Sequence, residues 1–226
     1  VTGSPYHSDE LSQHWVEYDP DLANELLDEA GLSERDSADF RLRPDGQRFS
    51  LVVEANDAVH AKTLELLAEN FADIGIEFLP RVIDRTQWDN NRANDFQMHW
   101  IPFDRLTYVP ADPRRIMGSD GYANQSFKYY NTNGVEGMEP TAEMQEIYDL
   151  WDQASQSASV EVADGYVKQM AEIFATQGWV IGVYGEGTVV NIVSNKMHNV
   201  QPNLVQDDIF RGVGLARTQQ FWLEQE

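Results

Sequence analysis

The chain has 226 residues, 42% of them hydrophobic and none of them cysteine. That is enough for one large domain or two small ones, and it excludes disulfides, thiolate nucleophiles and zinc–thiolate sites. Sixteen basic residues face 38 acidic ones, a formal charge of −22, so phosphate backbones and anionic lipid are repelled and nucleic acid is not an expected partner.

Only four of the basic residues are lysine, and the charges are spread along the chain rather than gathered in a tail. Such a surface is either an ordinary solvated one or an adaptation to salty surroundings. No apolar run approaches the ~20 residues of a membrane span. The opening VTGSPYHSDE has neither a basic n-region nor an apolar h-region, so it is not read as a signal peptide. The chain is mature, or a piece of something longer.

The first clear helix opens at Tyr18-Asp19-Pro20. Asp19 is placed to cap it, Pro20 suits the first turn, and Gly31 suits a left-handed exit. Leu22, Leu26, Leu27 and Ala30 form its apolar stripe. A polar loop follows, turning at Pro44-Asp45-Gly46. Residues 49–54 read as a strand. Residues 58–74 read as a helix, with Leu64, Leu67, Phe71 and Ile74 on one face and Gly75 ending it. Residues 76–83 read as a strand, 86–93 as a short helix and 95–101 as a strand. This β-α-β-α-β order predicts an α/β domain with helices packed on a sheet.

Residues 102–139 read as a long irregular loop, and loops of that length in compact domains usually carry function. Two helices follow. Residues 141–157 place Met144, Ile147, Tyr148, Trp151 and Ala154 on one face. Residues 161–176 do the same with Val162, Tyr166, Val167, Met170, Ile173 and Phe174. Residues 179–184 and 188–194 read as strands around Gly185-Glu186-Gly187. The last thirty residues lack a period until Phe221-Trp222-Leu223. No internal repeat is visible.

Five stretches in this order resemble a known family. They are YDPDLANELLDEAGL (18–32), RPDGQRFSLVVE (43–54), LELLAENFADIGIEFLPRVID (64–84), DFQMHWIPFDRLTYVPADPRRI (95–116) and WVIGVYGEGTVVNIVSNKMHNV (179–200). Together they are similar to the C-terminal part of the family 5 extracellular solute-binding proteins of ABC importers, the dipeptide/oligopeptide-binding type. The resemblance implies an α/β fold with a mixed sheet flanked by helices, periplasmic-binding-protein type II-like, here lobe II of a two-lobe receptor. It implies an N-terminal segment from the inter-lobe region (1–17), a ligand-binding lobe (18–195) and a C-terminal segment returning toward the first lobe (196–226). It also implies ABC permease subunits as partners, a periplasmic or extracellular location, and a small oligomeric solute as ligand. The family's signal peptide and large N-terminal lobe are not in the sequence. The uncovered face is then expected to favour self-association.

Prolines fix a loop in advance, and tryptophan and tyrosine offer flat apolar faces with one polar atom each. In the family the strand and loop matching residues 95–113 line the cleft. The resemblance therefore points to Trp100 first, then His99, Phe103 and Tyr108. Asp104 and Arg105 stand as partners for ligand termini, or as ordinary solvated loop charges. Tyr129 and Tyr130 form a second aromatic pair in the same long loop. Against the Trp100 assignment stands strand alternation, which puts Phe96, Met98 and Trp100 on one side, where they would serve as core, and Gln97, His99 and Ile101 on the other.

The five histidines His7, His14, His60, His99 and His198 show no metal-ligand spacing, and no calcium loop is present. Some members of the family bind nickel or haem, which leaves His99 open as a ligand, but no metal and no cofactor is expected. Gly185-Glu186-Gly187 reads as a hairpin turn, not a phosphate cradle. Two function classes remain. One is a binding module for an oligopeptide or an oligosaccharide, without catalysis. The other is a hydrolase using two of the many carboxylates, since aromatic clefts with acids also describe glycosidases. No serine elbow, HExxH or nucleotide motif supports the second.

Overall fold

The computed structural model describes residues 3–94, 97–101, 105–185, 187, 190–204, 207, 209 and 216–224. Helix α1 spans Pro20–Glu29. The Asp19 carboxylate accepts from the Leu22 amide at 2.9 Å, Pro20 stands at the first position, and Gly31 has φ +86°. The ends of this helix are thus set by local chemistry.

Its expected apolar stripe is not buried. No residue of α1 is buried, and Leu22 and Leu26 are about half exposed. The helix is held instead by its polar face, through Arg41. That side chain is 1% exposed. Its guanidinium donates to the Asn24 side-chain oxygen (2.7 Å) and carbonyl (3.2 Å), to the Leu32 carbonyl (2.6 Å) and, through Nε, to the Ile74 carbonyl (2.8 Å). It also pairs with Asp28. A buried guanidinium is tolerable only when its donors are satisfied in this way.

Strand β1 spans Ser50–Ala55, helix α2 Ala61–Asp73, strand β2 Glu77–Val82, helix α3 Arg85–Asn94 and strand β3 Met98–His99. The order in the sheet is β2-β1-β3, with all pairs parallel. Alternation along β1 divides the layers. Val53 and Ala55 pack with Leu64 of α2 and Phe78 of β2, joined by Leu67, Phe71, Met98 and Trp100. Glu54 faces α3, where Trp88 is 2% exposed. Parallel strands covered on both faces by crossover helices are the expected arrangement for this order.

A second core lies further along the chain. Helices α5 (Ala142–Ser155) and α6 (Val160–Gln177) pack as a hairpin. Met144, Ile147, Tyr148, Leu150, Ala154, Val167 and Met170 are buried with Tyr6, Val109, Ile116 and Met117. Thr141 caps α5, accepting from the Met144 amide at 3.3 Å. Val162 departs from expectation: it is 51% exposed.

The described part of the stretch 102–139, residues 105–139, is more ordered than its composition suggests. It contains short 3-10 turns at Val109–Ala111 and Pro113–Arg115 and the helix α4, Asn124–Asn131. Tyr129 and Tyr130 therefore lie on a helix, not in a loop. The expected strands at 179–184 and 188–194 are not formed among their described residues. Ile181, Tyr184, Val190 and Ile192 are exposed, and a strand needs a neighbour to satisfy its backbone groups. Strand β4, Met197–His198, pairs antiparallel with β5, Trp222–Leu223, with the His198 and Trp222 rings stacked at 4.0 Å.

Candidate functional site

In parallel α/β sheets, ligands lie outside the carboxyl ends of the strands, where loops leave the sheet. At the carboxyl end of β1 the chain turns through Asp57, whose carboxylate accepts from the Val59 amide at 2.8 Å. This turn delivers His60 to the start of α2. At the carboxyl end of β3 stands Trp100, whose amide donates to the Glu54 carbonyl at 2.8 Å. The two rings lie 5.5 Å apart. Tyr184 comes from the exposed stretch 181–185. Its ring is 5.9 Å from Trp100 and its hydroxyl 3.2 Å from His60 Nδ1.

Residues 60, 100 and 184 thus form one aromatic surface. Trp100 is partly buried, with its inner side on the α2 core. It is at once a core residue and a surface one. The three rings offer flat apolar faces and a few polar atoms, so the surface suits a ligand face that stacks and takes hydrogen bonds from Tyr184 and His60.

The remaining expected residues fall elsewhere. His99 points to the opposite side of the sheet and its side chain is 3% exposed. It lies flat on Trp88, with centroids 5.0 Å apart, and its Nε2 is 3.0 Å from Glu54 Oε2. Burial pulls the His99 pKa down from its ordinary value, against the upward pull of Glu54. Glu54 sits below the usual carboxylate range: burial pushes it up, but hydrogen bonds from Asn91 and His99 outweigh that. The contact is therefore a neutral imidazole N–H donating to an ionised carboxylate.

Arg105 adopts a left-handed backbone, φ +68°, and joins an ion cluster. It pairs with Asp112 and Asp120, each at 3.2 Å. Arg92 and Arg115 also pair with Asp120. Asp112 is held below the usual carboxylate range, first by Arg114. Tyr108 lies 6.1 Å from Tyr6 and packs against the α5–α6 core. Tyr130 donates its hydroxyl to Asp152 at 2.6 Å and stacks on Tyr148 at 4.5 Å. Burial, and then Asp152, push its pKa up to about 12. Tyr129 rests against the turn at Gly134, where an added Cβ would come within 3.2 Å of its ring. Phe103 and Asp104 lie outside the described residues.

Of the expected set, only Trp100 stands at the aromatic surface among the described residues. His60 and Tyr184 were missed, because neither carries a sequence signal of its own. The link from a predicted strand into a predicted helix was the usable clue for His60.

The α/β unit thus has helices on both faces of its parallel sheet and an aromatic surface at the strand ends. The chain belongs to the bacterial extracellular solute-binding proteins, family 5 (Middle), whose model matches residues 1–144. Over its whole length it is similar to the solved structure of an oligopeptide-binding protein, OppA, with 27% identity and a TM-score of 0.79, and it spans 38% of that protein. MelB of Agrobacterium fabrum C58, solved with stachyose, shares the fold with 15% identity and a TM-score of 0.64, over 79% of this chain and 27% of its own. AppA of Bacillus subtilis, solved with a nonapeptide, gives 15% identity and 0.56, over 78% of this chain and 33% of its own. None of the curated proteins matches the chain.

Proposed function

We propose that this chain forms one wall of the ligand cleft in the solute-binding component of an ABC importer. It captures an oligopeptide or similar oligomeric solute and hands it to the permease subunits outside the cytoplasmic membrane. The observation that carries this reading is the convergence of Trp100, His60 and Tyr184 at the carboxyl ends of the parallel strands. An aromatic surface also fits an oligosaccharide, and the stachyose bound to MelB makes that the second reading.

In this reading residues 18–195 are the second lobe of a two-lobe receptor. Residues 1–17 and 196–226 are the segments that meet the first lobe. The exposed apolar residues Trp15, Tyr18 and Ile192 lie in or within a few positions of the stretches expected to contact it. Alone, the chain leaves a ligand wet on one side, without the burial and water exclusion that strengthen polar contacts. It should also self-associate through that face.

Calorimetric titration with a nonapeptide and with stachyose tests the reading. In the two-lobe receptor one of them binds and is recovered unchanged, and Trp100→Ala weakens binding by more than ~1 kcal/mol without loss of fold. The 226-residue chain by itself binds at millimolar strength or weaker, about −4 kcal/mol. Micromolar binding by the single chain would overturn the two-lobe reading, and turnover of either probe would overturn the receptor reading.

A further inference from the structure

Trp100 follows β3 directly, and β3 has a short ladder. Among the described residues only Met98 and His99 pair with β1 as strand partners, opposite Val53 and Glu54. Next to them, Gln97 accepts from the Val52 amide through its side chain (2.6 Å) rather than its backbone. A strand this short has little backbone pairing to fix it.

Met98 and Trp100 pack against the α2 core, and the face turned to α3 adds a second hold. Beneath β3, His99 is clamped between the Trp88 ring and the Glu54 carboxylate. Asn91 Nδ2 reaches both Glu54 oxygens, at 3.0 and 2.8 Å. Arg81 of β2 approaches the same carboxylate at 3.5 Å. The Glu54 carbonyl accepts the Trp100 amide, and the Trp88 indole N–H at 3.4 Å. One residue therefore ties together β2, β3, α3 and the backbone of Trp100.

We propose that Glu54 is a positioning residue for the aromatic surface, acting through His99 to seat β3 so that the Trp100 indole meets His60 and Tyr184. The proposal rests on the reading of that surface as the ligand wall. The charge state of His99 is then felt at Trp100. The charged groups around it are Glu54 from β1, with Arg81 of β2 at that carboxylate, and, at the Trp88 ring on which His99 stacks, Arg85 and Arg92 of α3. These two lie 5.1 and 5.0 Å from the Trp88 ring, and both pair with Asp89. A proton on His99 adds a cation beside these arginines and turns a neutral donor into an ion pair with Glu54. Both changes act on the side chain that seats the strand.

The test needs no ligand. The chain is labelled with 5-fluorotryptophan, the Trp100 fluorine resonance is identified by its loss in Trp100→Phe, and the pH is lowered from about 8 to about 5. The Trp100 signal should move in a step centred below the ordinary histidine value of 6.5, and the step should vanish in His99→Gln. Glu54→Gln should displace the signal already at pH 8, with the far-ultraviolet dichroism unchanged. Glu54→Asp, which keeps the charge, should displace it less.

His60 is the control, because its ring is itself in contact with Trp100. A step that survives His99→Gln and disappears in His60→Gln overturns the proposal. So does a Trp100 signal that Glu54→Gln leaves in place. Should Glu54→Gln fail to fold, His99→Gln decides alone. Failure here leaves solute binding untouched, whereas a correctly seated Trp100 that binds neither nonapeptide nor stachyose fails the functional reading alone.

Discussion

His99 and Glu54 make the fold sensitive to acid, and the sign follows from their environments. The folded His99 holds its proton less tightly than the ordinary value of 6.5. The unfolded state therefore binds more protons as the pH falls through that value, and stability is lost with it. Glu54 is shifted below 4.5, so its contribution is present above that value and is lost as pH falls further, through its folded pKa. Denaturant titrations at a series of pH values should show stability falling from about pH 7 downward, with a slope of up to about 1.4 kcal/mol per pH unit from His99. His99→Gln should flatten the curve between pH 7 and 6 while leaving the loss below pH 4.5. A curve unchanged by that variant would show that His99 titrates no differently in the folded and unfolded chain. Nothing in the sequence foretold this pairing, because Glu54 and His99 lie 45 positions apart. Strand alternation did separate His99 from Trp100, and the structure keeps them on opposite faces.

Among the elements, α1 departs most from what its pattern implied. Its caps were legible because each depends on one or two neighbouring residues: Asp19 and Pro20 at the start, Gly31 after the end. Its stripe was read as core, yet the helix is anchored by Arg41 through Asn24, Asp28 and Leu32. A hydrophobic period reports that a face could be buried, not that anything covers it. Arg41→Met keeps the volume but leaves the Asn24, Leu32 and Ile74 carbonyl groups without this donor. We expect it to lower stability by roughly 3 kcal/mol. Leu26→Ala, at a half-exposed position, should cost less than ~1 kcal/mol. Urea melts of the two variants check the order, and a larger loss for Leu26→Ala would mean that the apolar stripe is the anchor. The α5–α6 hairpin was the most legible part, since its buried residues recur at helical spacing on both helices. Helix α4 was missed because its eight residues, NQSFKYYN, carry a short and mostly polar pattern inside a Gly- and Asn-rich stretch.

For the molecule as a whole, charge opposes compactness. Thirty-eight carboxyl groups against sixteen cations repel one another, and added ions screen this within about 10 Å at 0.1 M. The melting temperature should therefore rise between dilute buffer and molar NaCl. Self-association through the exposed apolar residues should rise with it, as read by sedimentation velocity, because the same salt screens repulsion between copies. A melting temperature that stays level or falls would remove the argument from salt adaptation. The sequence by itself determined the charge, the order β1-α2-β2-α3-β3, the caps of α1, most of the buried faces of α5 and α6 and the resemblance to the solute-binding family. All of these depend on residue type or on spacing within one element. Only the tertiary structure decided that Trp100 meets His60 and Tyr184, that Glu54 and Trp88 hold His99 beneath them, and that Arg41 rather than leucine fastens α1. Those contacts join residues 9 to 124 positions apart, and what brings them together is the crossing of strands and loops in space, which no local period encodes.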